Sequence, residues 1–511
     1  MSIQLIIIII YFAITVFIGV MAGKKTKSAD AFTGVALSTV AIVCASTGEW
    51  LGGTATTGVS EYGFLYGISG AWYTIANGIG VLFLGLCFAK LFRSLETGTV
   101  PGILEKFFGV GARTVSCIIL TIVMLAVGLS QMIAASKLGQ SLLGLDFKVT
   151  CVVFAIIFIV YTLAGGMNAV ASTNVLHLFV MYFGAIIAVV VAVIGAGGWS
   201  EFSANIGSLQ ASNGGSFTNM FTIGGSKVSS WIIASLLGAC TAQAGLQPVL
   251  SAKNASQAKK ACLITACVAA PFGLLTALLG MASRVMYENG TILQGEEASV
   301  AAKSALPELM MNMDKVVPQL NSTVAGILGG LVLAAILAAV LSTVSPIILA
   351  AGTMVTRDVY QRNINPNASD TQVLFMARVI TALSGVICCV GAICLWNMAA
   401  VLEIVYAAYS LRGALFIVVL LGIYWKAASQ KGAIISMIIT AVVAVGWVGV
   451  KLVSGSYPLS IGSFTITETY AAVVAALVCT IVFSLICKPT KEELAAREAT
   501  KKALQEALAK A

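Results

Sequence analysis

Glu49 stands inside "CASTGEWLGGTATTG" (Cys44–Gly58), a stretch with four threonines, one serine and four glycines within a long apolar run. A carboxylate near the centre of a bilayer is costly, and by default it marks a functional site. The small and hydroxylated residues around it make a poor lipid-facing surface. They fit a span whose backbone ladder is interrupted and surrounded by protein, because a lipid-exposed helix has to satisfy its own backbone. Tightly packed small-residue contacts explain the glycines equally well; Glu49 favours the broken helix. A second interruption falls in "WIIASLLGACTAQAGLQPVLSAK", where Gly238, Thr241, Gln243, Gly245, Gln247 and Pro248 punctuate an apolar run. A third chemical feature is "LAAVLSTVSPIIL", in which Ser342, Thr343 and Ser345 lie on nearly one face of a helix of Ala, Val and Leu. Such hydroxyls often bond back to carbonyls one turn earlier. Beside a broken helix they offer, with free carbonyls, an uncharged oxygen cage for a hard cation such as Na⁺.

The elements that position these residues follow from composition. Of 511 residues, 59% are hydrophobic and only 10% charged, where a soluble chain carries about 25%. The fold class is all-α integral membrane. With about 20 apolar residues needed per span, thirteen segments are expected, at about 3–22, 36–60, 66–91, 113–142, 149–166, 173–197, 229–249, 259–287, 321–352, 370–396, 398–424, 431–453 and 466–487. Twelve or fourteen are alternatives, because "WNMAAVLE" is a weak break. Loops after odd-numbered segments are basic ("GKKTKS", "SAKNASQAKK", "TRDVYQRNINPN", "YWKAASQKG") and those after even-numbered ones are polar or mixed. The positive-inside rule then puts the amino terminus outside and the carboxyl terminus inside. The net charge of +9 is accounted for by this orientation and by anionic lipid, and nothing in it points to nucleic acid. Residues 1–490 are expected to form one transmembrane domain and 491–511 a solvated helical tail. Segments 2–6 (about 36–197) and 7–11 (about 229–424), each opening with an interrupted span, read as an inverted repeat with a binding site between them at the midplane.

The single histidine, His177, excludes most His-based catalysis, and no nucleophile–base set, metal spacing or phosphate loop is present. No enzyme is expected. The twelve cysteines, none in a C-x-x-C pair, read as small apolar side chains. A solute site is expected from Glu49, Thr54, Trp72, Thr241, Gln243 and Gln247, with Trp50 and Tyr73 as further aromatic faces. Arg412 is expected to pair on the cytoplasmic side of that site. No lysine or arginine falls in the expected centres of segments 2, 3 or 7, which favours an amine-bearing or cationic solute drawn to Glu49.

Longer motifs carry a family resemblance. "AAVLSTVSPIILAAGTMVTRDVYQR", "IFIVYTLAGGMNAVASTNVLHLFVM", "QPVLSAKNASQAKKA", "TGTVPGILEKFFG" and "GIYWKAASQKGAIISMI" resemble the ninth helix, the double-glycine signature and the connecting loops of sodium:solute symporters. The resemblance implies thirteen helices with a LeuT-type 5+5 core in segments 2–11. It also implies one coupling Na⁺ and no other cofactor, the ion being held by the carbonyls of Ile42, Ala45 and Ala339 and the hydroxyls of Ser342 and Thr343. Departures are instructive. The family's T-D-x-x-Q reads "TNVLH", with Asn174 for the aspartate, and Pro346 stands where members with a second ion carry a hydroxyl. One sodium is therefore expected. No aromatic gate occupies Gly238 or Ala239, which implies a roomier site or a different substrate. The expected function is sodium-coupled import of a small organic solute across a plasma membrane, bacterial by its compact loops. The alternatives are proton coupling through Glu49 and His177, or a transporter-like channel or sensor.

Overall fold

The computed structural model describes residues 3–24, 28–29, 32, 37–396 and 401–509. Residues 25–27 of "GKKTKS", 397–400 of "WNMAAVLE", the expected start of segment 2 at 36 and residues 510–511 of the tail lie outside the described residues. Among those described, ten helices are long and apolar enough to cross a membrane, or eleven when the bent pair Gly225–Thr241 and Gln243–Leu250 is one span. Two of the expected segments are not among them as single long helices. Segment 5 is the short apolar helix Phe147–Leu163. It runs into segment 6 within Phe147–Gly195 across a kink at Gly166. There φ is +57°, the left-handed region that L side chains avoid, and an added Cβ would meet Phe32. Segment 2 is split: Thr39–Trp50 is helical, Leu51 leaves helical geometry (φ −111°, ψ 40°), and the chain resumes as a wide-turned helix Thr54–Gly58 and then Val59–Tyr66.

Polar residues start the helices. Ser38 caps Thr39–Trp50 by accepting from Ala41 N at 3.2 Å, and Ser369 forms a capping box with Gln372. The loops at the far end hold helices that hydropathy did not show, Trp199–Ser208 and Ala298–Met311. The second covers Phe64 of segment 2 with Ala301, Ala302 and Ala305. A two-stranded antiparallel hairpin, Ser460–Ile461 with Phe464–Thr465, joins segments 12 and 13.

Segment 9, Ser322–Met354, is the central post. Every residue from Val332 to Met354 is buried, as suits a helix apolar on all faces. It packs against segments 1, 4, 5–6, 10 and the first half of segment 2. An outer belt is lipid-like: Phe17, Ile122, Val160, Phe179, Phe375 and Val442 are all more than half exposed.

The basic loops meet at one end. Arg113 pairs with Asp358 at 2.5 Å and with Glu105, and Arg362 reaches Glu105 at 2.6 Å. The tail helix Lys491–Ala509 docks there, with Arg497 donating to the carbonyls of Ala428 (2.7 Å) and Phe107 (3.3 Å). All twelve cysteines are unpaired.

Candidate functional site

The two interruptions touch. In segment 7 the helix Gly225–Gly238 tightens through Ala239–Thr241, leaves helical geometry at Ala242 (ψ 87°) and restarts at Gln243, turned by 44°. Ser46 donates to the Gly245 carbonyl at 2.9 Å. A Cβ at Gly245 would lie 3.1 Å from the Trp50 ring and 3.3 Å from Glu49. Past the break in segment 2, Thr56 and Thr57 both donate back to Gly53 O, at 3.1 and 2.8 Å.

Segment 9 closes against the same break. Thr343 donates to the Gly48 carbonyl, and also to Ala339 O at 3.2 Å, while Ser342 donates to Ala339 O at 2.8 Å. Asn174 donates to Ser342 O at 3.3 Å. Gly48 has to be small, since a Cβ would stand 2.5 Å from both Ser342 O and Asn174 Nδ2. The Gly48 carbonyl of segment 2 thus meets the Thr343 hydroxyl of segment 9 beside Ala339 O, whereas the Ser342 hydroxyl also faces Met181 Sδ of segment 6 at 3.8 Å, and among the described residues no cluster of three His, Cys, Asp or Glu could hold a metal. The donor set suits a monovalent hard cation rather than a divalent one, which gathers charged oxygen ligands.

Beside this cradle lies a buried ion pair. Arg412 Nη1 donates to Glu49 Oε1 at 2.9 Å, and neither side chain is exposed at all. The expectation that Arg412 pairs on the cytoplasmic side is therefore corrected, and so is the reading that Glu49 offers an uncompensated charge. Arg412 also fills the room expected at Gly238, where an added Cβ would be 3.1 Å from its Nε. Its guanidinium stacks 3.6 Å from the Tyr409 ring centre and 5.1 Å from that of Trp50. Thr241 donates to the Arg412 carbonyl at 2.6 Å, which ties the break of segment 7 to segment 11. Thr54 meets Tyr73 Oη at 2.9 Å and accepts from Gln131 Nε2 at 3.3 Å; Tyr73 Oη lies 3.3 Å from Tyr409 Oη.

Three expected solute residues stand elsewhere. Trp72 donates to Met220 O at 2.8 Å and packs on Phe221 in the loop at the far end; its neighbour Tyr73 points inward instead. Gln243 accepts from Val100 N at 2.8 Å and donates to Gly98 O at 3.2 Å, so it braces the basic end. Gln247 donates to Thr353 on segment 9 at 3.5 Å, also beyond the break. Glu49, Thr54 and Thr241 do come together, joined by Arg412, Tyr409 and Gln131, which sequence reasoning did not place there. A lone glutamine in the apolar run "AVGLSQMIAAS" was the available sign of Gln131. His177 is buried with Nδ1 bonded to the Tyr11 hydroxyl.

Several buried polar atoms around the breaks have no partner: Glu49 Oε2, Arg412 Nε and Nη2, Gln131 Oε1, Trp50 Nε1 and Thr47 Oγ1. Buried polar groups are ordinarily satisfied, and a cluster of exceptions marks a place where a ligand supplies the missing bonds. Two broken spans, facing each other inside a multi-pass bundle and lined by such atoms, define a secondary transporter. Residues 32–440 match the model of the sodium:solute symporter family, and the chain belongs to that family. Its members are transporters and not enzymes, and they couple solute to sodium. The chain is 24% identical to a sodium/glucose cotransporter of Vibrio parahaemolyticus, over 85% of this chain and 83% of that one. It is 25% identical to a sodium/proline symporter of Haemophilus influenzae, over 99% of both chains. Among solved structures, a Na⁺-coupled sialic acid symporter in a substrate-bound outward-open state superposes with a TM-score of 0.76 at 19% identity, covering 96% of this chain and 99% of that one. That likeness establishes the fold, a LeuT-like arrangement.

Proposed function

We propose that this protein is a sodium-coupled importer of a small organic solute that carries an amine together with an anionic or hydroxyl acceptor. One Na⁺ sits between segments 2 and 9, held by the carbonyls of Ile42, Ala45 and Ala339 and the hydroxyls of Ser342 and Thr343. The Thr343 hydroxyl, bonded across to Gly48 O, is the hinge of this reading, because an ion bound there recruits both helices at once. Solute binds next to it against Glu49, Arg412, Thr54, Thr241 and the rings of Trp50, Tyr73 and Tyr409.

The observation that carries the substrate class is the Glu49–Arg412 pair with unpartnered atoms on both sides. The pair has no net charge, so it does not attract a simple cation. It offers one free acceptor, Glu49 Oε2, and two free donors, Arg412 Nε and Nη2. A zwitterion such as an amino acid satisfies all three, and a carboxylate is well met by a guanidinium fork. The proline symporter that aligns over almost the whole chain accords with this.

The thirteen segments, the outside amino terminus, repeats at about 36–197 and 229–424 and a cytoplasmic tail complete the proposal, in a bacterial inner membrane. Sodium binding orders the break in segment 2, solute follows, and the bundle rocks to release both inward. An inside-negative potential adds about 2.3 kcal/mol per charge per 100 mV.

Uptake of labelled amino acids, amines, sugars and carboxylates into proteoliposomes tests this. An inward Na⁺ gradient should drive amino acid uptake, and an inward proton gradient alone should not. Uptake driven equally by protons would favour coupling through Glu49 and His177, although the structure engages Glu49 with Arg412 and His177 with Tyr11. Uptake of a sugar but no amine would overturn the assignment of substrate class.

A further inference from the structure

A cavity of about 350 Å³ lies between segments 4, 7, 11, 12 and 13, and Tyr406 in its wall separates it from Tyr73 and Tyr409 of the solute site. Its upper wall holds Lys227, Glu403, Lys451 and Glu468; its lower wall holds Ile122, Ala126, Ala407 and Leu411. The charged residues come from the ends of four helices at the end opposite the basic loops. Leu411 lies two turns beyond Glu403 on the same helix, so the cavity runs about 12 Å along that helix from the charged cluster at 1.5 Å per residue. Ile122 (56% exposed), Val445 (65%) and Leu452 (49%) belong both to its lining and to the outer apolar belt, so the cavity opens toward lipid.

The charges are balanced and incompletely paired. Lys451 and Lys227 share Glu403, at 2.9 and 3.7 Å. Lys227 also donates to Tyr62 at 2.8 Å. Glu468 is only 6% exposed, and its Oε2 is buried without a partner. Two lysines against two carboxylates leave no net charge, so the site does not select an anionic headgroup. It has an acceptor for an N–H donor in Glu468 Oε2 and ammonium donors for a phosphate in Lys227 and Lys451. A primary ammonium donates up to three hydrogen bonds, whereas a trimethylated one donates none.

We infer that this cavity is a binding site for an aminophospholipid of the phosphatidylethanolamine class, its ammonium on Glu468, its phosphate on Lys451 and Lys227, and one acyl chain along Ile122, Ala126 and Leu411. The inference is independent of which solute is carried. The test is native mass spectrometry of the purified protein after incubation with equal amounts of phosphatidylethanolamine, phosphatidylcholine and phosphatidylglycerol of matched chains. Wild type should retain phosphatidylethanolamine preferentially. Glu468→Gln should cut that preference about tenfold, the size expected for a hydrogen bond to a charged group. Ala126→Phe, which narrows the cavity and leaves Glu468 in place, should lower retention of all three lipids, and it keeps the test decisive if Glu468→Gln misfolds. Equal retention of the three lipids by wild type, or an unchanged preference in Glu468→Gln, would overturn the inference. So would displacement of the lipid by soluble phosphoethanolamine at equal concentration, since the occupant would then be a headgroup-sized solute.

Discussion

The pair formed by Glu49 and Arg412 makes a quantitative prediction. Both side chains are fully buried, and the contact is a 2.9 Å charge-assisted hydrogen bond. Removing one partner strands the other charge, which costs about 3–5 kcal/mol. Glu49→Gln and Arg412→Met are therefore each expected to destabilise the protein by about that much. The double variant should behave differently. It deletes both charges and removes two unpartnered atoms, Arg412 Nε and Nη2, each of which carries a penalty of about 1–3 kcal/mol in the wild type, and it leaves at position 49 only a neutral amide. The double variant is thus expected within about 2 kcal/mol of wild type, giving a coupling energy above about 3 kcal/mol. Equilibrium unfolding in mixed micelles of dodecyl sulfate and a mild detergent measures all four corners of the cycle. The double variant should also fail to take up solute while remaining folded. Additive losses, with the double as unstable as the two singles summed, would refute the buried pair.

Other consequences are smaller in scope. Gly48→Ala puts a Cβ 2.5 Å from Ser342 O and Asn174 Nδ2, and such overpacking costs about 1–3 kcal/mol; the sodium concentration for half-maximal uptake should rise about tenfold. Tyr73→Phe removes the hydroxyl that links Thr54 to Tyr409 and should raise the KM for solute, whereas Trp72→Phe should leave it unchanged in the same uptake assay. Gln243→Leu takes the side-chain acceptor from Val100 N, so unfolding should become easier by about 1–3 kcal/mol while solute KM stays at the wild-type value.

The sequence and the structure agree most closely where composition alone has physical consequences. The breaks in segments 2 and 7 were visible as glycine, threonine and glutamine inside apolar runs, because such residues are poor choices for a lipid-facing ladder. The hydroxyls of segment 9 were visible in the same way, helped by the family motif, but only Thr343 reaches segment 2, at Gly48 O, while Ser342 turns to Ala339 O and Met181 of segment 6. Side-chain direction was harder to see. Trp72 and Tyr73 are adjacent, and the tight turn Gly67–Ala71 sets the phase of the helix that follows. No hydropathy difference separates the two, so the inward ring could not be chosen. Gln243 and Gln247 lie past a 44° bend that carries them to the basic end. The partnership of Glu49 with Arg412 spans 363 residues. Its detection required the depth of Arg412 in segment 11, whose start falls in the weak break at "WNMAAVLE". Segment 5 was legible as apolar, but its continuity with segment 6 depends on one positive φ at Gly166.

The central claim is that one sodium ion bridges the break of segment 2 and the Ser342–Thr343 turn of segment 9. Binding of ²²Na⁺ to purified wild type and Thr343→Ala, by scintillation proximity with K⁺ as the balancing ion, tests it most directly. Wild type should bind one ion saturably, and Thr343→Ala should bind at least about tenfold more weakly, the loss of one oxygen ligand and of the link to Gly48. Equal affinity in the two proteins, with one ion bound to each, would place the site elsewhere and contradict the account.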